Sequence, residues 1–178
     1  MKHSAFTLIE LLIVVAIIAI LAAIAVPNFL EAQVRSKVSR AQSDMKTIAT
    51  ALESYHVDYN NYPLDGNDPE VLNMDWFNSK RNLSLLTTPM AYMTSYPIDP
   101  FHIANNPSGP DIFFTPPPPP YPYIYMTLGN YDYHKGKPTC YGLFSFGPDR
   151  DMDPIDATII YYDPTNGTIS DGDIIRMN

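Results

Sequence analysis

The residues with the clearest chemical meaning stand near the start of the chain. Phe6-Thr7-Leu8-Ile9-Glu10 is followed by a run from Leu11 to Leu30 that contains no charged residue. At about 1.5 Å per residue, a helix of this run is roughly 30 Å long, which matches the hydrocarbon core of a bilayer. Glu10 therefore stands at the head of a predicted membrane span, where an unpaired carboxylate is costly and usually functional.

A second group of residues with possible chemistry is acidic and lies near the C-terminus. Asp149, Asp151, Asp153 and Asp156 fall in one predicted loop. Clustered carboxylates beside turn carbonyls suit Ca²⁺, which takes about six to eight oxygen ligands. The first three have the spacing of the start of an EF-hand loop, but the glycine and the distal glutamate of that motif are missing. A calcium site and a solvated acidic loop that caps turns are therefore both open.

The composition excludes several classes of function. The chain has 178 residues and a formal net charge of -8, so we expect no nucleic-acid partner, because such surfaces neutralise phosphates with clustered Lys and Arg. No nucleophile motif, phosphate-binding glycine loop or zinc-ligand spacing is present, so we do not expect an enzyme. Cys140 is the one cysteine, which rules out an internal disulfide. Stability must then come from core packing, a metal or assembly.

The pattern after the apolar run predicts that the same helix continues outside the membrane, from about Phe6 to about Tyr59. Asn60-Asn61-Tyr62-Pro63 is a polar cluster followed by proline, which predicts the helix end. Pro27 lies inside the helix and predicts a kink or local melting. Apolar residues recur at steps of three and four, as on one helix face, at Leu30, Val34, Val38, Ala41, Met45, Ile48, Leu52, Tyr55 and Tyr59.

The remainder predicts a small head, so the fold class is α+β. Short runs rich in β-branched and aromatic residues predict an antiparallel sheet that packs on the helix stripe. Asn166-Gly167 predicts a hairpin, and Pro116 to Pro120 predicts a polyproline segment that is either a spacer or a docking ligand. The predicted short helices are Pro69 to Phe77 and Asn82 to Met93, and the predicted strands are Tyr121 to Leu128, Tyr141 to Phe146, Thr158 to Tyr162 and Ile174 to Met177.

The N-terminal residues carry a family resemblance. The stretch from Ala5 to Leu21 resembles the cleavage and methylation motif of type IV pilins and type II secretion pseudopilins. Leu52 to Pro63, Tyr96 to Phe101 and Ser145 to Asp149 are similar to the major pseudopilin. The resemblance is close from Ala5 to Pro63 and patchy beyond. It implies a pilin-like fold with a leader at 1–5, a membrane or filament-core helix at 6–29, its amphipathic continuation at 30–62 and a head at 63–178.

The resemblance also implies how the N-terminus is used. A prepilin peptidase would cut between Ala5 and Phe6 and methylate the new amino group of Phe6. Glu10 would then pair with the Phe6 amine of a neighbouring subunit. The family usually has glycine before the cut, so Ala5 is expected to slow cleavage. In the major pseudopilins a loop after the Ser145 to Asp149 stretch binds calcium, although Arg150 to Ile155 departs from the family pattern.

The implied function is that of a structural subunit. The resemblance predicts a homo-oligomeric helical filament, most closely the major pseudopilin filament of a type II secretion system, formed with an inner-membrane assembly platform and minor pilins. The subunit would wait in the inner membrane with its head outside and end in a periplasmic or extracellular filament. Lys2 agrees with this orientation, but Arg35, Lys37 and Arg40 beyond the span oppose it.

Three alternatives remain open at this stage. A true type IV pilin, which serves adhesion or motility, shares the same helix. A membrane-anchored exported binding domain would use the helix only as an anchor, and Glu10 would be dispensable. A secretory signal peptide would be cut after Ala25, where small residues follow the apolar core.

Overall fold

One long helix dominates the molecule. The computed structural model describes residues 6–63, 83–101, 123–128, 140–150, 160–166, 170 and 172–178. Helix α1 spans Leu8–Tyr59, starts after the N-cap Thr7 and ends at Asn60, whose left-handed conformation (φ 53°) lets its N–H donate to the His56 carbonyl. The predicted helix is thus confirmed. It is continuous through Pro27, so no local melting occurs there, and the kink stays a prediction.

The two halves of α1 lie in different surroundings. From Leu8 to Leu30 every residue is exposed, because no other described element packs against this half. The second half buries the predicted stripe against the head. Leu30 and Tyr59, at the two ends of that stripe, are exposed, contrary to the prediction that they belong to it. The buried α1 residues are Val38, Ala41, Met45, Ile48, Ala49, Ala51 and Leu52.

The described part of the head contains a three-stranded antiparallel sheet. Its strands are β1 (Ile124–Leu128), β2 (Cys140–Ser145) and β3 (Ile174–Met177), in the order β1-β2-β3. Residue pairs such as Tyr125 with Leu143, and Phe144 with Ile175, fix the register. These strands confirm three of the four predicted ones and, with α1, the α+β fold.

The strand predicted at Thr158 to Tyr162 is wrong where the structure describes it, at residues 160–162. Tyr161 makes only a single, isolated parallel bridge with Asp173, just before β3, and no strand forms there. Pro164–Asn166 forms a 3-10 helix. The Asp163 carboxylate accepts the N–H and hydroxyl of Thr165, which stabilises this turn. Gly167 to Ile169 lie outside the described residues, so the hairpin stays a prediction.

Other predicted elements are only partly described. Of the helix predicted at Asn82 to Met93, residues 83–93 are described, and after Leu83 they form a 3-10 helix at Ser84–Leu86 and then turns. Pro89 follows, and a proline offers no N–H to continue a helix. The segments Pro69 to Phe77 and Pro116 to Pro120 lie outside the described residues.

Tyrosines join the sheet to the second half of α1. The Tyr123 hydroxyl donates to Asp44 (3.0 Å), and the Tyr141 hydroxyl donates to Glu53 (3.3 Å). Glu53 also accepts the Tyr62 hydroxyl at 3.1 Å. The rings of Tyr123 and Tyr141 are buried, so each combines apolar packing with a polar contact to the helix. This half of α1 is therefore an integral part of the head.

Candidate assembly site at the helix N-terminus

The start of α1 is organised by two side chains. The Glu10 Oε2 atom accepts the Thr7 backbone N–H at 2.8 Å and the Thr7 hydroxyl at 2.6 Å. In return, the Glu10 backbone N–H donates to the Thr7 hydroxyl oxygen at 3.3 Å. This reciprocal capping box satisfies backbone donors that a helix leaves unpaired at its first turn. The Glu10 carboxylate is thereby held at the extreme N-terminal end of the helix.

Glu10 was predicted from the sequence as a residue of this site, whereas Thr7 was not. The signal was present, since a Thr followed three residues later by Glu directly before an apolar run is the pattern of a capping box. Phe6 precedes the cap and has 72% of its surface exposed. Ala5 lies outside the described residues, so the cleavage position stays a prediction. The structure places Phe6, Thr7 and Glu10 together at one accessible end of the molecule.

The exposed apolar half of α1 continues directly from this site. The helix is long and apolar enough to cross a membrane, and none of its most apolar 18-residue window is buried inside the protein. In the apolar half, Leu12 is 61% exposed and Ile20 is 62% exposed. A continuous apolar surface of this length is unfavourable in water. It fits membrane anchoring or burial against other subunits.

The acidic loop of the head is only partly described. Of the four predicted calcium ligands, Asp149 is within the described residues, and Asp151, Asp153 and Asp156 are outside them. The Asp149 Oδ2 atom accepts the backbone N–H of Gly172. No group of three metal-ligating side chains occurs among the residues that the structure describes. The calcium site therefore stays a prediction.

The stretch before that loop is held by close backbone packing. The buried Asp99 carboxylate accepts the Ser145 hydroxyl (2.9 Å) and the Phe146 N–H (3.1 Å), which fixes the end of β2. Gly147 follows in a left-handed conformation (φ 68°), and a Cβ there would lie 2.3 Å from the Gly172 carbonyl oxygen. This position therefore requires glycine. The contact brings the start of the acidic loop against the segment that enters β3.

Comparison with known proteins agrees with this geometry. Residues 1–26 match the family model of the prokaryotic N-terminal methylation motif. Residues 28–106 match the model of type II secretion system protein G. Over residues 1–106 the chain is thus similar to type IV pilins and type II secretion pseudopilins. The predicted family resemblance and the pilin-like fold are thus confirmed.

Individual relatives of this pilin-like chain come from both branches of the family. It is 52% identical over 61 residues to the type IV major pilin protein PilA of Myxococcus xanthus, which covers 34% of this chain and 28% of that protein. It is 45% identical over 62 residues to the type II secretion system core protein G of Pseudomonas aeruginosa, with 35% and 44% covered. The corresponding protein of Aeromonas hydrophila is 37% identical over 62 residues, with 35% and 43% covered.

These matches span less than half the length of the relatives themselves. No solved structure matches this chain. The long apolar helix is consistent with anchoring in a membrane before assembly.

Proposed function

We propose that this chain is the major subunit of a pseudopilus, the helical filament of a type II secretion system. One observation supports this choice over a type IV pilin: the match to the protein G model extends to residue 106. It therefore passes the helix end at Tyr59 and includes part of the head, where the two branches differ. The role is structural and not enzymatic, as the names of the relatives suggest.

The arrangement at the N-terminus supports an assembly mechanism. A prepilin peptidase would cut between Ala5 and Phe6, at the exposed end of the molecule, and methylate the new amine of Phe6. In the filament that amine would pair with Glu10 of a neighbouring subunit. An ammonium and a carboxylate at hydrocarbon depth are each costly alone, and pairing offsets much of that cost. The pair would therefore favour a docked subunit in the correct register.

The exposed half of α1 supports the proposed location. Before assembly it would span the inner membrane with the head outside, and after assembly it would pack against the same half of other copies. The inner-membrane assembly platform would extract subunits, and minor pilins would join the same filament. The end product would be a periplasmic or extracellular filament of this chain.

The decisive experiment is removal of the Glu10 carboxylate. In cells with the native secretion machinery, Glu10→Ala is expected to abolish sheared filaments while the subunit still accumulates in the membrane. Glu31→Ala is the matched control, because it removes an exposed carboxylate from the same helix outside the apolar half. Normal filaments from the Glu10 variant would support the anchored-domain alternative.

Intact-mass analysis of the same membrane fraction tests processing. We expect a mature chain that begins with methylated Phe6, with some uncut precursor because Ala5 replaces the usual glycine. A chain that starts after Ala25 would show that the segment is a signal peptide and would refute the filament proposal.

A type IV pilin is the second candidate, supported by the match to the M. xanthus major pilin. The two candidates differ in what is lost when the gene is deleted. Loss of protein secretion supports the pseudopilin, and loss of twitching motility or adhesion with normal secretion supports the pilin.

We also propose calcium as a ligand of the acidic loop, with Asp149, Asp151, Asp153 and Asp156 as its predicted carboxylates. Support comes from the loop chemistry and from the close packing of Gly147 on Gly172, which gives the loop a fixed base. Calcium that binds only the folded head raises its unfolding temperature. Titration calorimetry and thermal unfolding should show this effect, and Asp151→Asn should weaken it. An unchanged unfolding temperature at saturating calcium would refute the site.

A further inference from the structure

Three basic residues follow the apolar half of α1 and have no part in the proposed function. We call Arg35, Lys37 and Arg40 the basic collar. Lys and Arg near a span usually mark its cytoplasmic side. In the orientation proposed above, the collar lies on the other side of the membrane. Its charges therefore need a different explanation from topology.

The collar begins at the depth of lipid headgroups and ends just beyond them. Since α1 is continuous from Leu8 to Tyr59, the Cα atoms of Arg35, Lys37 and Arg40 lie about 7.5, 10.5 and 15 Å beyond Leu30 along the helix axis. The headgroup layer extends roughly 5–8 Å beyond the hydrocarbon on each side. Helical side chains are tilted toward the helix N-terminus, and here that direction is toward the membrane. All three charges therefore lie within about one screening length of the lipid phosphates.

The collar is accessible even where it makes ion pairs. The side chains of Arg35 and Arg40 are 68% and 64% exposed. Arg35 pairs with Glu31, and the Arg40 Nε atom lies 3.5 Å from an Asp44 oxygen. Exposed ion pairs of this kind contribute little, and a guanidinium group has further N–H donors for a phosphate. These pairs therefore orient the side chains without blocking them.

The third member connects the collar to the head. The Lys37 ammonium lies 5.9 Å from the ring centre of Phe101, a buried head residue. Between Glu31 and Lys46, four basic residues accompany two acidic ones, which gives this segment a positive excess in a chain of net charge -8. An anionic membrane surface would attract this segment and repel the acidic remainder of the head.

We propose that the basic collar binds anionic phospholipid headgroups and thereby sets the height of the head above the membrane before assembly. The proposal rests on the membrane insertion and orientation of the proposed function. Beyond that function, it names anionic phospholipids as the ligand and the three residues of the basic collar as the groups that contact them. Zwitterionic lipids present no net charge and should bind the collar more weakly.

Lipid selectivity of the full chain tests this proposal. The chain is placed in phosphatidylcholine bilayers, and spin-labelled phosphatidylglycerol and phosphatidylcholine are compared by electron spin resonance at the protein boundary. Each basic residue near an anionic surface raises association by about fivefold. We expect a preference for phosphatidylglycerol that falls in Arg35→Gln and in Arg40→Gln and weakens at high salt.

Lys46→Gln is the matched control, because it removes one positive charge from the same helix about 24 Å beyond Leu30. It should leave the selectivity unchanged, and Lys2 is retained in every variant. Equal selectivity in wild type, Arg35→Gln and Arg40→Gln would overturn the proposal. So would normal selectivity together with lost filaments, since the collar would then contact a neighbouring subunit.

Membrane extraction at alkaline pH separates failure of the collar from failure of the proposed function. A chain that is released from bilayers was never inserted, and this result overturns both. A chain that stays inserted but shows no preference for phosphatidylglycerol overturns the collar alone.

Discussion

The two halves of α1 belong to one continuous helix but depend on different partners. Residues 8–30 expose an apolar surface that nothing described in the head covers, whereas residues 38–52 bury seven side chains in the head. Burial of apolar surface stabilises both halves of the helix. The first half, however, can bury its surface only in lipid or against other subunits. The comparison shows how one element can stabilise its own fold at one end and an assembly at the other.

The largest expected effect comes from equal truncations in the two halves. Leu52 is 0% exposed, so Leu52→Ala should destabilise the head by about 2–5 kcal/mol through lost contacts and a cavity. Leu12 is 61% exposed, and Leu12→Ala should change the same quantity by less than about 0.5 kcal/mol. Urea unfolding of the full chain in detergent, followed by tyrosine fluorescence, measures both. Similar losses in the two variants would show that the apolar half also packs on the head.

Periodicity predicted this contrast because it is a local property. The uncharged run and the stripe at steps of three and four are each visible in a short window of the sequence, and the stripe is confirmed from Val38 to Leu52 but not at Leu30 and Tyr59. Asp99 was not predicted, because its partners Ser145 and Phe146 lie 46 and 47 residues away and meet it only in the folded head. Thr7 shows the opposite case, a local signal that was present and overlooked.

A smaller effect on the stability of the head is expected from ionising or removing the tyrosine hydroxyls that join the second half of α1 to the sheet. Burial, and then the nearby Asp44 charge, raises the pKa of Tyr123 above its usual value of 10.0, and burial with the Glu53 charge does the same for Tyr141. A raised pKa means that the folded head keeps the proton while the unfolded chain loses it. The contribution of these two tyrosines to the stability of the folded head is therefore complete below about pH 10 and is lost as the pH rises further.

Alkaline unfolding measures this loss. The tyrosinate absorbance of Tyr123, taken as the difference between wild type and Tyr123→Phe, should appear together with the change in circular dichroism above about pH 10, because a buried hydroxyl ionises only as the head opens. Tyr123→Phe should lose about 1 kcal/mol at neutral pH with its bond to Asp44, and its stability should then fall less steeply above pH 10. Tyr161→Phe is the control, since its ring is 60% exposed. A Tyr123 tyrosinate signal that precedes unfolding would refute the explanation.

The smallest expected effect on the head comes from the capping box at the other end of α1. Thr7→Ala removes the acceptor of the Glu10 N–H and one of the two donors to the Glu10 carboxylate. Loss of such a cap costs about 1 kcal/mol of local helix stability, so amide exchange at Glu10 should accelerate about fivefold. Head unfolding should not change, because the affected turn makes no contact with the described part of the head.

Thr47→Ala is the matched control for the capping box. Thr47 is also exposed on α1, and its hydroxyl only donates to the Ser43 carbonyl one turn earlier, so its loss leaves the helix start intact. A Thr7→Ala variant that lowers head stability would show that the two halves of α1 are coupled through the helix itself. Unchanged exchange at Glu10 would instead show that the carboxylate does not depend on Thr7 for its position. With faster exchange and an unchanged head, the position of Glu10 would be set within the first turn of α1, independently of the fold that the other half stabilises.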